Sequence, residues 1–172
     1  MGSENLTIGS ALKFARHDFL NELQLMLLYL DLGKTAEARK TLLETTERMR
    51  HVSLLEKLQL PETELLLSTF DWMYTVFSKS LTCHIEAGPR AVEDEAVVSY
   101  LKALLKTIEE GVDPLSDYHI DVLVKATSEE WSIQLTVTGS LTHIPQFVHE
   151  QRGFLVRESK QEQQWTFTLS GR

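Results

Sequence analysis

Two apolar stripes at helical spacing, separated by a glycine turn, constrain the fold of this chain most strongly. The segment 4–32 contains no proline, and its apolar side chains recur at steps of 7, 4, 3 and 4 residues: Leu12, Phe19, Leu23, Met26 and Leu30. This heptad-like spacing places one stripe along a single long helix. Gly33 follows as a residue that tolerates positive φ, which is typical of a helix end.

A second stripe follows directly and predicts a helical hairpin. Between 36 and 58 apolar residues again recur at helical spacing, and Pro61 closes the run: Ala38, Leu42, Met49, Val52 and Leu55. Two long helices joined by so short a turn pack antiparallel. A lone hairpin cannot hide both stripes, and Leu20 and Leu27 widen the first one. We therefore expect two copies to pair as a symmetric four-helix bundle.

The pattern changes after Pro61 and indicates a mixed helix and sheet region. The predicted elements are a helix over 62–80, a strand over 81–86, a helix over 92–110 and strands over 118–126, 131–137, 153–158 and 165–169, the last two flanking a polar loop. The expected fold class is α+β. We expect a dimerising helical hairpin over 1–60 and a small α/β sandwich over 61–172.

Composition narrows the classes of partner and compartment. The 172 residues include 17 Lys and Arg against 25 Asp and Glu, a net charge of −8. This acidic balance argues against nucleic acid and against an anionic membrane surface as partners. Cys83 is the single cysteine, which favours a reducing compartment. No signal peptide or membrane span is recognisable, so we expect a cytoplasmic protein.

A histidine on the far side of the first helix is the candidate reactive group. At about 100° per residue, His17 lies about 160° around the helix from Phe19, so its imidazole faces away from the stripe. Asp18 lies at the side of this outward face, which also carries Phe14, Asn21, Gln24 and Leu28. A neutral imidazole is a nucleophile that can accept a phosphoryl group. A surface histidine without a chemical role fits the same pattern.

The string around His17 resembles the phosphoacceptor box of dimeric histidine kinases. It reads Arg16-His17-Asp18-Phe19-Leu20-Asn21-Glu22-Leu23-Gln24-Leu25, with an acid directly after the histidine and an asparagine four residues on. It is more closely similar to the sporulation initiation phosphotransferase B family of the endospore-forming bacterial phosphorelay. The similarity is specific around His17 and weak after Pro61.

This resemblance implies a homodimeric phosphotransferase whose protomers each carry a degenerate kinase-type ATPase domain. His17 would take a phosphoryl group from the aspartate of a single-domain response regulator. It would then pass that group to the receiver domain of the sporulation master transcription factor. The receiver would bring the aspartate and the Mg²⁺, and this chain would bring His17 and a docking face.

Supporting roles are expected for the neighbours of His17. Asp18 would orient the imidazole or stabilise its protonated ring nitrogen. Asn21 and Gln24 would contact the receiver's active-site loop or an attacking water, and Arg16 would steer an acidic partner surface. The candidate docking contacts are Phe14, Leu20 and Leu28, with core packing an open alternative for Leu20.

The nucleotide motifs of the related kinases are missing here. Those kinases carry an asparagine-bearing helix and an Asp-x-Gly-x-Gly loop. The best-placed helix, 101–110, has no asparagine, and the loop 138–142 has one glycine and no aspartate. We therefore expect no ATP binding and no tightly bound cofactor. No metal site is expected either, because the other histidines are scattered: His51, His84, His119, His143 and His149.

Two alternatives remain open from the sequence. One is a dimeric scaffold in which His17 is inert. The other is a degenerate sensor-kinase fragment with phosphatase activity, in which Asn21 positions the attacking water. A labelled histidine separates the phosphotransferase from the scaffold.

Overall fold

The computed structural model describes residues 6–113, 115–140 and 153–172. The chain divides into two compact units, 1–51 and 52–172. The first unit contains helix α1 (Ile8–Asp31) and most of helix α2 (Thr35–Leu54). Thr7 caps α1, because its hydroxyl oxygen accepts the Ser10 backbone N–H at 3.1 Å. Gly33 turns the chain with φ of 69°, so the predicted helical hairpin is confirmed.

The two helices of the hairpin contact each other along one face. Ala38 and Thr45 are buried on α2, and Glu22 of α1 forms an ion pair with Arg48 of α2. α1 has no buried residue, and its predicted apolar stripe stays largely open to solvent. Leu12 is 62% exposed and Leu30 is 52% exposed. The hairpin alone therefore leaves an apolar face uncovered.

The second unit is a five-stranded sheet with helices packed on one face. After a 3-10 turn over Leu55–Leu58 come α3 (Pro61–Ser68), α4 (Phe70–Met73), β1 (Phe77–Ile85), α5 (Asp94–Gly111), β2 (Tyr118–Ala126), β3 (Trp131–Thr138), β4 (Leu155–Gln161) and β5 (Gln164–Gly171). The strand order is β1-β2-β3-β5-β4. β1 is parallel to β2, and the other pairs are antiparallel. The α+β class is thus confirmed.

One hydrophobic core lies between α5 and the covered face of this sheet. Alternate residues of β2 and β3 are buried, as their period of two predicts. α5 contributes a buried stripe that includes Leu101, Leu104 and Ile108. The opposite face of the sheet carries mainly polar side chains, which is ordinary for an antiparallel sheet that is solvated on one side.

Two polar side chains join α3 to the rest of the second unit. The carboxylate of Asp94, at the start of α5, accepts the backbone N–H of Thr63 at 3.0 Å and its hydroxyl at 2.6 Å. Lys79 of β1 donates to the carbonyl of Leu67 at 2.7 Å and lies 3.1 Å from Asp71. Both ends of α3 are therefore satisfied by side chains from other elements.

The predicted helix over 62–80 is wrong in its last part. It ends at Ser68, a single turn follows over Phe70–Met73, and the chain is already strand β1 at Phe77. The dense apolar run hid the change of period, because an apolar residue such as Phe77, which is buried, suits a buried helix and a buried strand alike. The segment from Phe77 to Ile85 is a strand because all of it pairs in parallel with β2.

The predicted polar loop between the last two strands is also wrong. β4 runs to Gln161 and β5 starts at Gln164, so the connection is a tight hairpin. β4 is an edge strand, and apart from half-buried Val156 its residues are exposed. Polar residues therefore occupy it without contradicting strand structure.

The boundary between the two compact units falls between His51 and Val52 along the chain. The sequence suggested a domain boundary after residue 60. The end of α2 explains the difference. Leu55 and Leu58 are fully buried in the core of the second unit, and Val52 and Leu54 pack against it. The last turn of the hairpin's second helix thus belongs to the second unit.

Candidate functional site

His17 lies in the first half of α1, on a solvent-facing surface. Its side chain is 70% exposed, and that of the following Asp18 is 54% exposed. Helical geometry places Asn21 one turn further along the same face. The sequence prediction that His17 points outward thus agrees with its exposure, and an approaching protein can reach the imidazole.

One ring nitrogen of His17 faces two polar neighbours. The side-chain nitrogen of Asn21 lies 3.1 Å from Nδ1, and Oδ1 of Asp18 lies 3.5 Å from the same atom. Within the described part of the chain, no hydrogen bond reaches Nε2. The arrangement therefore engages the inner nitrogen and leaves the outer one accessible to a partner.

The remaining predicted site residues surround His17 without bonding to it. Arg16 and Gln24 are exposed on α1, and the structure brings only Asp18 and Asn21 within hydrogen-bond range of the imidazole. The candidate docking residues are exposed by 40%, 53% and 52% respectively: Phe14, Leu20 and Leu28. Leu20 is therefore not a core residue of this single hairpin.

The exposed apolar residues of α1 form two groups around the helix. Leu12, Phe19, Leu23 and Leu30 occupy one arc, which we call the apolar arc of α1, and Leu20 and Leu27 lie at its edge. Phe14 and Leu28 lie about opposite it, next to His17. Exposed apolar side chains grouped in this way are typical of interaction surfaces.

The second unit shows no nucleotide-binding motif in its described residues. α5 includes residues 101–110, which correspond best to the asparagine-bearing helix of the kinases. It contains no asparagine. Packing explains why residue 139 is a glycine, because a Cβ there would collide with the ring of Tyr118. The rest of the compared loop, Leu141 and Thr142, lies outside the described residues.

Metal-ligand clusters are absent from the part of the chain that the structure describes: it contains no group of three His, Cys, Asp or Glu side chains that could hold an ion. His143 and His149 lie outside that part. No helix in the described ranges combines the length and apolar character needed to cross a bilayer.

Sequence reasoning gave His119 no role, but the structure places it in a polar cluster on the open sheet face. Nδ1 of His119 lies 2.7 Å from the Ser78 hydroxyl, and Nε2 lies 3.3 Å from Oδ1 of Asp121. The Ser80 hydroxyl donates to Asp121. The spacing of His119 and Asp121 indicates a shared face of β2, but the two serines lie on β1, half of which was predicted as helix.

The comparison with protein families matches the helical hairpin. Residues 3–58 match the family described as sensor kinase SpoOB-type, alpha-helical domain. The match covers the string around His17 and confirms the resemblance stated from those residues. No curated protein matches the chain.

Three solved structures illustrate what the whole chain is similar to. Histidine kinase AdeS of Acinetobacter baumannii is 12% identical with a TM-score of 0.38, over 90% of this chain and 96% of that one. A histidine kinase from Burkholderia phymatum STM815 is 12% identical with a TM-score of 0.42, over 96% and 98%. Histidine kinase ThkA, in complex with response regulator protein TrrA, is 10% identical with a TM-score of 0.39, over 95% and 61%.

Proposed function

We propose that this chain, whose residues 3–58 match the SpoOB-type α-helical domain of sensor kinases, is a histidine phosphotransferase of a two-component phosphorelay. The observation that carries the proposal is the accessible Nε2 of His17, on an exposed helix face inside the matched segment. The inner nitrogen, Nδ1, has its own polar neighbours. A phosphoryl donor can therefore approach Nε2 from the side of the ring that neither neighbour occupies.

The proposed reaction is a phosphoryl transfer between two proteins. The Nε2 lone pair of His17 attacks the phosphorus of an aspartyl phosphate on a response regulator. The bond from phosphorus to the carboxylate oxygen breaks, and the carboxylate leaves with the electron pair. A second receiver then takes the phosphoryl group from Nε2 by the reverse of this step. Positioning and charge stabilisation supply most of the catalysis in such transfers.

Asp18 is the proposed stabiliser of the charged intermediate. When Nε2 carries the phosphoryl group and Nδ1 carries a proton, the ring is cationic. The Asp18 carboxylate, 3.5 Å from Nδ1, can accept that proton's hydrogen bond and balance the charge. We expect the receiver to bring the Mg²⁺, and we expect this chain to hold no tightly bound cofactor.

The proposed active form is a homodimer built on a four-helix bundle. The apolar arc of α1 supports this, because its leucines are about half exposed in the single hairpin. Pairing the hairpin with a second copy would bury the arc by symmetry. His17 lies on a different face of α1, so the dimer would leave the imidazole accessible.

The proposed receiver-docking face surrounds His17. Phe14, Leu20 and Leu28 would supply apolar contact area, and Gln24 would contact the receiver's active-site loop. Arg16 would attract the acidic surface around the receiver's aspartate. The proposed donor is a single-domain response regulator, and the acceptor is the receiver of the sporulation master regulator, in the cytoplasm.

A labelling experiment with two donors tests this function. The purified chain is incubated with a ³²P-labelled phosphorylated response regulator and Mg²⁺, and in parallel with labelled ATP. We expect label from the receiver and none from ATP, because α5 lacks the asparagine of kinase nucleotide sites. Addition of an unlabelled second receiver should then remove the label from the chain.

The alternatives give different results in the same experiment. Label from neither donor, with receiver binding intact, would support the scaffold. Release of inorganic phosphate from the receiver without a labelled chain would support the phosphatase. Labelling by ATP alone would identify a kinase.

A further inference from the structure

Two side chains make opposite demands on Nδ1 of His17. The amide nitrogen of Asn21, 3.1 Å away, can only donate a hydrogen bond, so it requires an unprotonated Nδ1. The ionised carboxylate of Asp18, 3.5 Å away, can only accept one, so it requires a protonated Nδ1. A neutral imidazole carries one ring proton, and it can satisfy only one of these two neighbours at a time.

The shorter contact indicates which of the two hydrogen bonds Nδ1 forms in the resting protein. Asn21 approaches Nδ1 more closely than Asp18 does, at a normal distance for a hydrogen bond. When Asn21 donates to Nδ1, the single proton of the neutral ring lies on Nε2. The outward nitrogen then has no lone pair in the ring plane with which to attack phosphorus.

We propose that Asn21 holds resting His17 in its non-nucleophilic Nε2–H tautomer, and that Asn21 and Asp18 together form a tautomer switch at the phosphoacceptor. Rotating the Asn21 amide by about 180° exchanges its nitrogen for its oxygen. The oxygen accepts from Nδ1–H, as Asp18 does. Both neighbours then favour the Nδ1–H tautomer, and the Nε2 lone pair is exposed.

The change of tautomer needs no reagent other than water. Going from the resting to the reactive tautomer, Nε2 releases a proton to water and Nδ1 takes one from water. In the transfer that follows, Nε2 forms its bond to phosphorus while Nδ1 keeps its proton. Asn21 is thus a positioning residue, which acts on the reacting nitrogen through the other side of the ring. The catalytic consequence rests on the proposed function, whereas the tautomer itself does not.

The tautomer can be measured directly on the isolated protein. Long-range ¹H–¹⁵N correlation spectra of the full chain, labelled in its histidines, distinguish Nδ1–H from Nε2–H imidazoles. They are recorded at mildly alkaline pH, about pH 8. The His17 signals are assigned by their loss in His17→Ala.

We expect the Nε2–H form to dominate in the wild-type chain. Asn21→Ala leaves Asp18 as the neighbour of Nδ1, and it should shift the ratio toward Nδ1–H by about two- to tenfold, the effect of one exposed hydrogen bond. Asn21→Asp supplies a second acceptor and should shift the ratio further. Asn21→Ala with Asp18→Ala should return it toward Nε2–H.

A charge-matched control separates hydrogen bonding from net charge. Lys13→Ala removes an exposed charge one turn before His17 on α1, and it changes the net charge by the same amount as Asn21→Asp. It offers Nδ1 no acceptor and should leave the tautomer ratio at the wild-type value.

The proposal is overturned if the wild-type chain is mainly Nδ1–H, if both Asn21 variants keep the wild-type ratio, or if Lys13→Ala shifts it as Asn21→Asp does. Failure of phosphoryl transfer with the expected tautomer shifts would refute the proposed function alone. Transfer through His17 with an unchanged tautomer ratio would refute the switch alone.

Discussion

Glu22 of α1 and Arg48 of α2 form an ion pair that joins the two helices of the hairpin. The Glu22 side chain is 19% exposed and that of Arg48 is 57% exposed. The second carboxylate oxygen of Glu22 is buried and has no hydrogen-bond partner among the described residues. Glu22 is five residues after His17 on the same helix, so the ion pair links the helix that carries the imidazole to α2.

Arg48→Ala should lower the free energy of unfolding of the hairpin, by about 1–2 kcal/mol, because it leaves the mostly buried Glu22 charge without its partner. Urea unfolding followed by circular dichroism measures the change. Arg50→Ala is the matched control, since Arg50 pairs at the surface with Glu47 on its own helix. Equal effects of the two substitutions would show that the pair does not stabilise the hairpin.

Leu30→Glu should dissociate the proposed dimer. By two-fold symmetry the substitution places two carboxylates in the interface, and burying unpaired charges there costs several kcal/mol. Sedimentation velocity over a range of concentrations reports the change from dimer to monomer. Leu155→Glu, at a similarly exposed leucine of β4, should leave the dimer intact. A wild-type chain that sediments as a monomer would contradict the bundle.

Asp94→Ala should destabilise the second unit by about 1–3 kcal/mol, because its carboxylate accepts charge-assisted hydrogen bonds from the start of α3. Denaturant unfolding followed by tryptophan fluorescence measures this change. Glu95→Ala alters the next residue, which is exposed in the same turn of α5, and should change stability by less than about 0.5 kcal/mol. A loss in Glu95→Ala as large as that in Asp94→Ala would rule out the capping account.

Cys83 should be unreactive in the folded protein. Burial raises the pKa of its thiol to about 12, and the positive charge of the nearby Lys79 offsets only part of this rise. Because the thiolate is the nucleophile, the folded chain should react very slowly with a thiol-specific disulfide reagent at about pH 8. One equivalent should react promptly in denaturant. Prompt labelling of the native chain would mean that β1 opens readily.

The features with a clear period were predictable from the sequence. The stripes that end at Gly33 and Pro61 indicated the hairpin, and the alternation over 118–126 and 131–137 indicated β2 and β3. The outward direction of His17 followed from its angle to Phe19. Each of these depends on residues that are close in the chain.

The features that were missed depend on residues far apart in the chain. β1 was hidden in an apolar run, and its strand character comes from pairing with β2, about 40 residues later. The cluster of Ser78 with His119 exists only because of that pairing. The polar residues of β4 gave no strand signal because an edge strand need not alternate. The contacts of Nδ1 with Asn21 and Asp18 depend on side-chain rotamers, which spacing does not determine.

The most direct test of the central claim is the location of the phosphoryl group after reaction with a labelled phosphorylated receiver. The wild-type chain, His17→Ala and His51→Ala are compared; the imidazole of His51 lies 3.4 Å from Glu47 on its own helix. We predict acid-labile, alkali-stable label in the wild type and in His51→Ala, and none in His17→Ala. Undiminished label in His17→Ala, or no label in any of the three proteins, would contradict His17 as the phosphoryl carrier.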